Sequence, residues 1–93
     1  MAPDALDAIF ARRVCEARHA AGLKQQDLAD LMSSTGRKMH RSQIGKIEAG
    51  ERVVSVGEAV QLAAFLEVDL AELVTEPGYG RSHQAERERR LAP

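Results

Sequence analysis

Between Arg37 and Arg52 the sequence gathers groups that donate hydrogen bonds or attract anions. Five bases, Arg37, Lys38, Arg41, Lys46 and Arg52, stand against Glu48 and Glu51, with Ser42 and Gln43 among them. Guanidinium and ammonium groups donate to phosphate or carbonyl oxygens, an amide side chain donates and accepts, and a serine hydroxyl does both in little space. This chemistry suits holding a polyanion and reading hydrogen-bonding edges. From Val53 to Glu76 the balance reverses, with Glu58, Glu67, Asp69, Glu72 and Glu76 and no Lys or Arg. The net charge of −1 therefore conceals a segregated distribution. One face can meet phosphate while the opposite end repels it.

Other chemistries lack their parts. No Gly-rich phosphate loop follows a strand pattern, the three histidines are scattered, and no Ser or Cys has a base and orienting partner visible in the sequence, so an enzyme is not expected. Cys15 is the single cysteine, which excludes an internal disulfide and a cysteine-rich metal site. Cys15 and His19 read as structural or surface residues, and no metal or cofactor is implied. There is no apolar run of about 18 residues to span a bilayer, and Met1-Ala2-Pro3-Asp4 lacks the order of a signal peptide. A soluble cytoplasmic protein is expected. With 93 residues, 44% of them hydrophobic, the chain can close one small core.

The polar row needs elements to carry it, and the apolar spacing supplies them. Leu6, Ile9, Phe10, Val14, Ala17 and Ala21 recur at helical steps and predict a first helix, with Pro3 and Asp4 suited to its start and Gly22 to its stop. Leu28, Ala29, Leu31 and Met32 predict a short second helix over Gln25–Met32, its acids favouring the positive end of the helix dipole. Ser33-Ser34-Thr35-Gly36-Arg37-Lys38 has no apolar period and reads as a connection. His40–Ala49 restores the period through Ile44 and Ile47, with Met39 just ahead and Gly50 at the end. Its outward positions are Arg41, Ser42, Gln43, Gly45 and Lys46.

A loop over Glu51–Val54 leads to Ser55-Val56-Gly57-Glu58, a capping box. The fourth helix it opens should turn Val56, Ala59, Val60, Leu62, Ala63 and Leu66 inward, with Phe65 at the edge. Asp69-Leu70-Ala71-Glu72 is a second capping signature, opening a fifth helix that Pro77-Gly78 ends. Residues 1–76 form the expected domain and 77–93 a mobile tail, helical from Ser82 to Leu91 against a partner.

The segment from Arg18 to Leu73 resembles the phage-repressor (Cro/cI/Xre) family of helix-turn-helix domains. The resemblance rests on Arg18-His19-Ala20-Ala21-Gly22-Leu23-Lys24-Gln25, on Asp27-Leu28-Ala29, and on Ile44-Gly45-Lys46-Ile47-Glu48-Ala49-Gly50. It implies an all-α, five-helix lambda-repressor-like domain that binds double-stranded DNA as a transcription regulator. Two departures stand out. Lys24 occupies a place where the family often has a Ser or Thr cap, and a lysine cannot accept the amide hydrogen bond. Fifteen steps separate Ala29 from Ile44, so the usual turn of roughly three or four residues is replaced by a longer path.

The resemblance also implies roles. The third helix enters the major groove, with Arg41, Ser42, Lys46 and Gln43 at base edges and Gly45 allowing close approach. Lys24, Gln25, Arg37, Lys38, His40 and Arg52 are the phosphate candidates, and His40 stands where the family has a small capping residue. Arg18 and Glu48 match a structural ion pair. Reading a palindrome requires two copies, and Leu70, Leu73, Val74 and Tyr79 could form the dimer surface or complete the core. The competing class is an antitoxin or protein-interaction adaptor of the same fold, whose tail binds a partner protein.

Overall fold

A computed structural model of the chain describes residues 5–35, 37–75 and 79–92, with side chains at 5 and 79–83 outside that set. The roles expected of Pro3, Asp4, Gly36, Pro77, Gly78 and the Tyr79 side chain lie outside the described residues. Among the described residues six helices follow in order: α1 Ala5–Ala20, α2 Gln25–Ser33, α3 Arg41–Glu48, α4 Val56–Leu66, α5 Leu70–Leu73 and α6 Tyr79–Leu91. The stretch expected to be a mobile tail thus carries a helix over most of its length. Its described side chains explain why it stays solvated: Gln84–Glu88 and Glu86–Arg90 bridge successive turns, and Leu91 is exposed. Such bridges between successive turns support a helix that has no apolar stripe.

The core is where α1, α2, α3, α4 and α5 converge. Val14 of α1, Leu28, Ala29 and Met32 of α2, Ile44 and Ile47 of α3, Leu62, Ala63 and Leu66 of α4, and Leu73 of α5 form one buried cluster, joined by Met39. Helix ends are set by backbone chemistry. Gly22 (φ 72°) and Gly50 (φ 75°) take the left-handed conformation expected of them. Leu23 N–H then reaches Arg18 O, and Glu51 N–H reaches Lys46 O, each closing a helix terminus. α4 ends the same way, Val68 N–H bonding Ala63 O, but its left-handed residue is Glu67.

Three expectations are corrected. Val56 and Val60 face solvent rather than the core, at 80% and 50% exposure. α4 is apolar around much of its circumference, so its pattern alone did not fix the buried face. Ala21 is exposed, and Ala11 takes a core place on α1. Asp69 makes no side-chain cap, and the helix it precedes is a single turn.

Candidate nucleic-acid interface

α3 presents its polar row as the sequence suggests, with a division of labour inside it. Ile44 and Ile47 are fully buried against the core, whereas Arg41, Ser42 and Lys46 are exposed. Gln43 is half-buried, and its Oε1 accepts the His40 N–H at 2.8 Å. This satisfies an amide at the helix start from the third position. His40 is the N-cap residue but its side chain makes no cap bond, so a capping role for His40 is corrected. α2 repeats the device. Lys24 makes no side-chain cap either, and the Asp27 carboxylate accepts the Lys24 N–H at 2.8 Å.

Gly45 lies on the protein side of the helix. A methyl group built there would stand 3.8 Å from both terminal atoms of Gln25, ordinary van der Waals contact. Gly45 thus sits beside the start of α2, with room for a methyl group on that side.

The seam joining α1, α2 and α3 is a hydrogen-bonded charge cluster. Arg18 Nε donates to Glu48 Oε2 at 2.6 Å and Nη2 to Oε1 at 3.0 Å, a two-pronged pair. Arg18 Nη1 also donates to Leu23 O at 2.9 Å, and Gln25 Nε2 to Glu48 Oε1 at 3.2 Å. Gln25 therefore turns inward, and its side chain is a seam partner before it is a phosphate donor. Burial pushes the Glu48 carboxyl up, but hydrogen bonds from Arg18 and Gln25 outweigh it and hold the group below the ordinary range. Beside the pair, burial and then Glu48 push the Cys15 thiol up. His19 Nδ1 lies 2.8 Å from the Cys15 carbonyl oxygen, which places it on the flank of α1.

The remaining cations divide into two groups. Lys24 and Arg41 line one open cleft of about 630 Å³ with Arg18, His19, Leu23, Gln25 and Gln26, so the starts of α2 and α3 share a surface. Arg37 and Lys38 are exposed on the loop between the helices. Arg52 belongs to neither group. Both its terminal nitrogens grip the Glu58 carboxylate, at 2.8 and 3.2 Å, so the guanidinium expected to meet phosphate already has a carboxylate partner. Glu58 in turn accepts the Ser55 N–H while Ser55 Oγ accepts the Glu58 N–H, both at 3.1 Å. The Arg52 hydrogen bonds hold the Glu58 carboxyl below its usual value against the effect of burial.

The loop has an anchor that pattern reading missed. Ser33 Oγ stands 2.8 Å from Ala29 O and 3.1 Å from Met39 O, and accepts the Met39 N–H at 2.9 Å. Ser34 Oγ donates to Leu31 O at 2.6 Å and Thr35 Oγ1 to Met32 O at 2.8 Å. The run of three hydroxyl residues was the available signal. Such side chains compete for backbone groups where a helix ends. Among the described residues no group of His, Cys, Asp and Glu could hold a metal ion, and no helix is long and apolar enough to cross a membrane.

Comparison with known proteins agrees with this architecture. The family model described as a helix-turn-helix domain matches residues 9–75. The restriction-modification controller protein C.AhdI from Aeromonas hydrophila is 36% identical, with a TM-score of 0.62 over 71% of this chain and 88% of that one. The hypothetical transcription factor NHTF from Neisseria shares the fold, with a TM-score of 0.69 at 19% identity over 89% of this chain and 90% of that one. No curated protein sequence gives a significant match. With the matched segment running from the core of α1 past the end of α5, and the polar helix held at its centre, the chain belongs to the Cro/Xre-like helix-turn-helix family.

Proposed function

We propose that this protein is a sequence-specific double-stranded DNA-binding transcription regulator whose third helix, with its flanking residues over 40–49, enters the major groove. The observation that carries the reading is the exposed set Arg41, Ser42 and Lys46 on a helix whose opposite face is fixed in the core. Arg41 suits the O6 and N7 edge of guanine, and a good pair of this kind discriminates by about 1–3 kcal/mol. Ser42 and Lys46 extend the contact along the groove. Gln43 keeps its amide hydrogens for a base or a phosphate, since its oxygen is engaged at the helix start. Lys24, Arg37, Lys38 and His40 hold phosphates. Kinship with a protein described as a restriction-modification controller supports a regulatory, non-enzymatic role.

The regulator acts as a homodimer on a palindromic operator. Leu73 is in the core, at 1% exposure, whereas Leu70 is exposed and Val74 half-buried, so these two support the dimer surface, beside the exposed aliphatics Val53, Val56 and Val60. Sedimentation that finds a strict monomer with and without DNA would remove this part.

Selection of bound sequences from a random duplex pool tests the whole reading. The protein should enrich a two-fold symmetric site, and Arg41→Ala should relax one position in each half. A pool that never enriches favours a protein adaptor of the same fold. Alanine at both Arg37 and Lys38 should reduce the salt slope of binding by about 1.8, the counterion release of two phosphate contacts. An unchanged slope makes the loop a spacer.

A further inference from the structure

The longer path between α2 and α3 raises a mechanical question. A tight turn fixes the angle of the helix that follows it, whereas seven residues, 34–40, separate these helices. The first two of them, Ser34 and Thr35, complete α2 by donating hydrogen bonds to Asp30 O, Leu31 O and Met32 O. The side chains of Arg37 and Lys38 are exposed and contribute nothing to the core. Position 39 is different. Met39 is buried at 7% exposure, and both its N–H and its carbonyl oxygen meet the Ser33 hydroxyl. Residue 40, the N-cap of α3, follows at once.

We infer that Ser33 is a positioning residue for the recognition helix, its hydroxyl holding the backbone of Met39 where a tight turn would otherwise set the start of α3. One hydroxyl provides an acceptor for Met39 N–H and a proton shared between Met39 O and Ala29 O. This ties the first residue after the exposed loop to the last turn of α2. The loop between the two ends is thereby uncoupled from helix placement, and Ser33 carries the constraint that its length would have relaxed. The DNA part of this inference rests on the function proposed above.

The test uses the full chain with Ser33→Ala and Ser33→Thr, at a temperature where all three proteins are folded. Amide hydrogen exchange reads the latch, and affinities for the enriched site and for an unrelated duplex read its consequence. In Ser33→Ala the Met39 amide should exchange about tenfold faster or more, with the first-turn amides of α3 shifted. Affinity for the enriched site should fall roughly tenfold, the scale of one lost hydrogen-bonding group, while the unrelated duplex binds as before. Ser33→Thr, which keeps the hydroxyl, should restore both. Unchanged Met39 exchange overturns the inference, and so does an equal loss for both duplexes, which marks a merely structural role. If the parent protein enriches no sequence, the DNA reading fails on its own, and the exchange data still decide on Ser33. Acceleration with shifted α3 amides sustains its positioning role, and acceleration confined to Met39 overturns it.

Discussion

Glu48 and Glu58 each receive a two-pronged arginine, yet the two corners they build differ in reach and in exposure. Arg18 and Glu48 are 30 residues apart in sequence and almost sealed, with side-chain exposures of 9% and 6%. Arg52 and Glu58 are six residues apart, at 24% and 10%. The first pair gathers α1, the start of α2 and the end of α3 around one carboxylate. The second holds a loop against the first turn of α4, where Ser55 already satisfies the helix. A long-range buried pair fixes how elements sit together, while a local one fixes how the chain turns a corner. The orientation of α3 therefore depends on Glu48 far more than on Glu58.

Removing Glu48 should give the largest effect. Glu48→Ala leaves the Arg18 guanidinium buried without its counter-charge, and breaking such a pair costs about 3–5 kcal/mol. Urea unfolding should show that loss, together with weaker binding to the selected DNA site. If stability is unaltered, the distinction between the two corners collapses.

Acid should reveal both corners at once. The Glu48 and Glu58 carboxyls lie below their ordinary value in the folded protein. Their contribution is therefore complete above the unfolded value of about 4.3 and is lost as pH falls through the lower folded values. Unfolding free energy measured from pH 7 to pH 2 should be flat above that point and decline below it. Glu58→Gln should remove part of the decline and leave the Glu48 share.

Glu58→Ala itself should cost less than Glu48→Ala, about 1–2 kcal/mol, the scale of a lost N-terminal cap. Arg52 keeps partial access to water when its partner goes. DNA affinity measured on the folded variant should hardly change. A loss of affinity as large as that of Glu48→Ala would show that the α4 corner also steers α3.

Gly45→Ala should produce the smallest change, and in the opposite direction. The new methyl meets Gln25 at an ordinary distance, so removing a glycine from the helix interior should add roughly 0.5–1 kcal/mol. A thermal melt decides. Destabilisation would mean that the seam around Glu48 has no tolerance for even one methyl at its edge.

Much of this was legible wherever a residue type leaves its backbone or its partner little choice. Gly22 and Gly50 mark left-handed helix ends, Ser55 and Glu58 form the reciprocal cap, and Ile44 with Ile47 define the buried edge of α3. Legibility failed where several residues compete for one role. Apolar residues surround α4, so period alone could not place Val56 and Val60 outside. Arg52 reads as a phosphate cation until Glu58 is seen to face it. Gln25 and Gln43 look like free hydrogen-bonding groups, but one joins the seam and the other completes a helix start. The Ser33 contact with Met39 joins a side chain to backbone six residues away, and hydrophobic periodicity carries no trace of it.

Cys15 gives the seam a built-in gauge. Burial and then Glu48 push its half-buried thiol above the ordinary range, and thiol reagents attack the thiolate. When α1 parts from α3, the thiol regains the ordinary acidity of a free cysteine, with a pKa of about 8.5. Labelling at this single site should then be slower with the seam closed than open, and its rate should respond to local opening as well as to global unfolding. No probe needs to be introduced, and a ligand that clamps α3 would announce itself as a slower clock.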